Sequence, residues 1–102
     1  MSNEWFDELG RIFSLLPKYE DAYTGLGRLY LRLLDEATRN SGIHLAGCFS
    51  KTDYLLKQKN APPFLRRVVN DTRLRLTTDT QAQCEENFII DFQALCHFIA
   101  LL

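Results

Sequence analysis

No apolar run in this sequence reaches the ~18 residues that a helix needs to cross a bilayer, which excludes a membrane-spanning helix. The opening Met-Ser-Asn-Glu-Trp-Phe-Asp-Glu is acidic where a secretory leader is basic and then apolar, so no leader is read there. Cysteine is scarce. Cys48, Cys84 and Cys96 are odd in number and widely spaced, unlike the dense even sets of small secreted scaffolds. Free thiols in a soluble, cytoplasmic protein are the expectation, and the lone sequon Asn70-Asp71-Thr72 then has no route to glycosylation. Low-complexity stretches and internal repeats are absent, which excludes a linker or a solenoid. Strand-like alternation is almost absent too.

What remains is helical periodicity within 102 residues, of which 46% are hydrophobic and 25% charged, enough for one modest core. Trp5, Leu9, Ile12 and Leu16 form one stripe, with Phe6 and Phe13 beside it. This predicts a first helix ended by Pro17. Tyr23, Leu26, Tyr30, Leu33, Leu34 and Ala37 predict a second helix over 19–39, stopped by Asn40-Ser41-Gly42. Residues 43–49 read as a loop. Ser50, with Asp53 three residues on, predicts the N-cap of a short third helix. Pro63 fits the first turn of a fourth helix over 63–76, which buries Leu65, Val68, Val69, Thr72 and Leu76. Asp79 or Thr80 is the expected cap of a last helix bearing Phe88, Phe92, Leu95 and Ile99. The fold class predicted is all-α: a single compact bundle of about five helices over residues 1–102.

Catalytic motifs are missing. There is no phosphate loop, no His-Glu-x-x-His and no Gly-x-Ser-x-Gly. Gly25-Leu26-Gly27 begins like a dinucleotide fingerprint, but Tyr30 occupies the third glycine position and no strand precedes it. Two small residues admitting a neighbouring helix explain it better. A zinc site drawn from His44, Cys48, Cys84 and Cys96 or His97 lacks the two close ligand pairs that mark such sites. A Cys48 nucleophile activated by His44 lacks an orienting acid and an oxyanion site. Adjacent acids such as Asp7-Glu8 and Glu85-Glu86 diverge by about 100° around a helix and cannot face one another across a substrate. The expectation is a non-catalytic chain without metal or cofactor.

Charge is segregated although the net value is −1. Residues 51–76 carry a net +5, while residues 77–102 hold four anions and no cation. Arg66, Asn70 and Arg73 form one stripe of the fourth helix, and Arg67, Asp71 and Arg75 form another in which Asp71 can pair with both arginines. Leu74 is expected in solvent between Arg73 and Arg75. Short helix, proline break and arginine-bearing helix are loosely like a helix-turn-helix, with Arg66, Arg67, Asn70 and Arg73 reaching bases or phosphates. A pI of 6.1 is far below that of typical DNA-binding domains, so protein contact through the same face competes.

The last helix reads as apolar on two sides. Phe88, Phe92, Leu95 and Ile99 form one, and Ile90, Ala94 and Leu101 with His97 form the other, which needs a cover. That cover is expected to be the remainder of a longer chain, of which this would be the N-terminal module, or a second copy in a homodimer. Taken together, the sequence predicts a non-catalytic helical interaction module of a larger intracellular protein, for which nucleic-acid processing fits the basic patch best, meeting either a protein partner or nucleic acid through Arg66, Arg67, Asn70, Arg73, Leu74 and Arg75. The alternative is a small DNA-binding protein dimerising through its last helix.

Overall fold

A computed structural model describes residues 4–78 and 83–102, so the expected cap at Asp79 or Thr80 lies outside the described residues. Five helices occur in chain order among those residues, with no strand: α1 (Glu4–Phe13), α2 (Tyr19–Asn40), α3 (Cys48–Gln58), α4 (Pro63–Thr77) and α5 (Cys84–Leu101). The radius of gyration is 13.0 Å, the value of a close-packed chain of this length. No described helix is long and apolar enough to cross a membrane.

The longest helix, α2, organises the bundle and touches all four others. It buries Ala22, Tyr23, Leu26, Leu29, Tyr30, Leu33 and Leu34, a run of three- and four-residue steps wide enough to serve several neighbours. The second most connected helix is α5, packed on α1, α2 and α4. The two glycines of α2 act as contact points. A side chain at Gly25 would meet the Ile12 side chain at 3.2 Å, and one at Gly27 would meet the Leu76 carbonyl at 3.5 Å. Gly25 lets α1 lie tight against α2, as the sequence suggested, whereas a side chain at Gly27 would make only ordinary contact with α4.

Helix ends follow local chemistry with two departures. Gly42 takes φ +72°, its N–H donates to the Arg39 carbonyl, and Ile43 N–H donates to the Thr38 carbonyl, closing α2. Asn60 at φ 52° closes α3 in the same manner, with Ala61 N–H on the Leu56 carbonyl at 3.0 Å. The first departure is α1, which stops at Phe13 rather than running to Pro17; residues 14–17 form a turn in which the Ser14 hydroxyl donates to the Arg11 carbonyl. The second is α3, which begins at Cys48 rather than after Ser50. Gly47 supplies the positive φ of 83° that lets the chain turn into the helix two residues early. Asp53 is therefore not a capping residue.

Candidate functional site

The basic helix α4 packs Val69 and Thr72 inward, with Leu65, Val68 and Leu76 half-buried, which sets the phase of every charged residue on it. Its arginines divide into two pairs. The C-terminal pair is used inside the fold. Arg73 lies 3.0 Å from the Asp53 carboxylate, donates to the Phe49 carbonyl at 3.3 Å and stacks 4.4 Å over the Phe49 ring. It straps α4 to α3 and keeps only 13% of its side chain in solvent. Arg75 turns to Asp91 of α5, with Nε 2.9 and 3.1 Å from the two carboxylate oxygens and Nη2 also bonded. Asp71, the partner expected from its spacing, is not among the ion pairs, whereas Asp91 is.

Asp91 is the residue that the sequence reading missed. It is completely buried. Its carboxylate accepts from the Tyr23 hydroxyl at 2.6 Å, the Thr72 hydroxyl at 3.0 Å and the Arg75 fork, so α2, α4 and α5 meet on one charge. A buried carboxylate persists only when paired and hydrogen-bonded, and this one is both. Burial, then the hydrogen bond to Asp91, push the Tyr23 phenol well above its ordinary range. Arg75 is raised as well, chiefly by its bond to Asp91.

Burial also pushes Tyr30 up, to about 12. This phenol lies 2.5 Å from the Thr52 hydroxyl and is fully enclosed. In the unfolded chain a tyrosine ionises near pH 10. Above pH 10 the unfolded state therefore sheds a proton that the native state keeps, and stability falls as pH rises from 10 to 12. Over that interval the loss from Tyr30 is on the order of 2 kcal/mol. In an alkaline titration the phenolate absorbance of Tyr23 and Tyr30 is expected to appear together with loss of helical ellipticity, not before it.

The N-terminal pair of α4 stands free. Arg66 and Arg67 are exposed and carry no ion pair among the described residues. Between them and the start of the helix is Phe64, 73% exposed, the most open of the large apolar side chains among the described residues. Pro62 leads in with extended backbone and Pro63 takes the first helical position, so the tip is stiffened on its N-terminal side. Lys57, in the last turn of α3, is exposed across the short connection, residues 59–62. From residue 54 to 70 the chain has four cations and no acid. The first turn of α4 has no acidic residue either, leaving the positive end of its dipole uncompensated. Leu74 is 49% exposed, as expected, and Asn70 is half-buried.

Of the second predicted surface, Ile90 is 52% exposed and His97 is open, but Ala94 is 2% exposed and Leu101 half-buried. Ala94 is closed to any partner because α5 presents that position to its neighbours; the outward side carries Ile89, Ile90, Gln93 and His97. Among the described residues no group of three or more His, Cys, Asp and Glu is placed to hold a metal ion. His44 is exposed in the α2–α3 loop, and burial raises both Cys84 and Cys96 above the ordinary thiol range.

The class defined by this geometry is an all-α five-helix bundle with a basic, aromatic-tipped helix end. No family model matches the chain, and no curated protein or solved structure matches it.

Proposed function

We propose that this chain is a non-catalytic helical interaction module that docks on an acidic protein surface through the N-terminal end of α4. The observation that carries the reading is Phe64, an aromatic side chain 73% exposed on a proline-stiffened tip and flanked by the unpaired Arg66 and Arg67. Aromatic and arginine side chains dominate binding energy where they fill a pocket on a partner. A rigid tip also loses little conformational entropy on docking. The surrounding charge steers toward acid and selects against basic partners.

A helix-turn-helix contact with DNA would need a row of free side chains along α4. Arg73 and Arg75 are committed to Asp53 and Asp91, which leaves Arg66, Arg67 and the half-buried Asn70 for that task. The net charge of −1 and the pI of 6.1 lack the strongly basic balance of such domains. A protein partner is favoured on both counts.

A photo-reactive phenylalanine analogue at position 64, in the full chain, is expected to crosslink to a protein in cells. The purified partner should then bind in calorimetry and lose at least about tenfold in affinity on Phe64→Ala, and again on Arg66→Glu with Arg67→Glu. A nuclease-sensitive adduct, or affinity unchanged by these substitutions, overturns the reading.

A further inference from the structure

We propose that the acidic surface met by the Phe64 tip belongs to a second copy of this chain, at the N-terminal end of its α5, so that copies associate head to tail; the assignment rests on the docking reading above and names its partner. Glu85 and Glu86 open α5, both exposed and without an ion pair among the described residues. One turn on, Ile89 and Ile90 are 44% and 52% exposed. A spacing of four sets each isoleucine beside one glutamate on the outward face of the helix. Glu20 and Asp21, exposed in the first turn of α2, lie at the same end, where the Tyr19 ring meets that of Phe88 at 6.1 Å. Lys18, exposed just before α2, offsets one of these four acids. An acidic rim around two open isoleucines is the counterpart of an aromatic ring flanked by arginines.

The two surfaces occupy opposite ends of the bundle. Lys59, just before the tip, and Leu102, at the end of α5, line one cleft. From there α4 runs back along α5 and brings Thr72 and Arg75 to Asp91. A rise of ~1.5 Å per residue puts Glu86 about 24 Å along the axis from Leu102, so Arg66 and Arg67 cannot pair with Glu85 and Glu86 of their own chain. A second copy supplies them. Its acids also face the first turn of α4, whose dipole no acid of its own offsets. The net charge of −1 leaves little overall repulsion to keep copies apart. Tip against tip would instead set Arg66 and Arg67 against their own like. Because the two surfaces differ, the contact is heterologous, and each copy added exposes a fresh tip and a fresh acidic end.

Sedimentation of the whole chain at low salt is expected to show a mean mass that rises past that of a dimer between about 10 μM and about 1 mM, with about tenfold weaker association once added salt shortens the screening length. Two variants separate the ends. Phe64→Ser with Arg66→Gln and Arg67→Gln removes the tip, and Glu86→Gln with Ile89→Ser and Ile90→Ser removes the acidic end. All these positions are exposed, so circular dichroism should confirm an unchanged fold. Each variant alone is expected to stay monomeric, and an equal mixture to form a dimer of one copy each that grows no further. A wild-type chain that stays monomeric at about 1 mM overturns the proposal, while a Phe64 crosslink to a different protein would keep the docking reading intact. Self-association by either variant alone, or a mixture that stays monomeric, also overturns it.

Discussion

Asp91→Ala is expected to lower the unfolding free energy by about 3–5 kcal/mol, a large share of the ~5–15 kcal/mol that domains of this size possess. The substitution deletes the acceptor for Tyr23, Thr72 and Arg75 at one stroke. What remains is a guanidinium only 27% exposed that has lost its bidentate carboxylate, and two hydroxyls stripped of their acceptor. The cost lies in these stranded groups more than in the ion pair itself. The double variant Asp91→Leu with Arg75→Met should therefore recover much of the loss, because it removes both charges and leaves apolar volume behind. Urea unfolding followed by ellipticity checks both, with a midpoint that falls at unchanged slope in the single variant. A single-variant cost below about 1 kcal/mol, or no recovery in the double, would mean that the network does not hold α4 against α5.

Asp91 also shows where sequence reasoning stops. The five helices were legible because their apolar residues repeat at three and four, and because Asn40-Ser41-Gly42 and Pro63 punctuate them with specific backbone requirements. The role of Gly25 was legible for a similar reason: a small residue inside a helix either costs stability or admits a neighbour. Asp91 looked like an interruption in an apolar cylinder. A lone acid within the run from Phe88 to Leu102 is itself the signal that a buried partner exists. The partner could not be named, because the contact from Arg75 depends on how α4 docks on α5 and not on spacing within one helix. Arg73 was misplaced by the same limit: its partners Asp53 and Phe49 lie on α3. Phe64 was missed as well: a phenylalanine reads as core until the fold shows it, and here Phe64 is 73% exposed where Phe88 is enclosed.

That contrast separates stability from docking in the second large prediction. Phe88 is fully buried, with its ring centroid 6.1 Å from that of Tyr19 in an edge-to-face arrangement and 5.6 Å from that of Phe92. Phe92 in turn lies 5.6 Å from Phe13, so one aromatic chain ties α5 to both the start of α2 and the end of α1. Phe88→Ala removes the interior member, leaves a cavity and breaks two ring contacts, with an expected cost of about 3–5 kcal/mol. Phe64→Ala deletes the same side chain from a site 73% exposed, where the lost burial is small, and stability should move by less than about 0.5 kcal/mol. Thermal or urea unfolding of the pair measures the ratio directly. If Phe64→Ala proved as damaging as Phe88→Ala, Phe64 would be a packing residue and the α4 tip would not be free to dock. If it leaves the fold untouched while Phe88→Ala weakens it, the exposed ring contributes nothing to this bundle. The α4 tip is then free to dock.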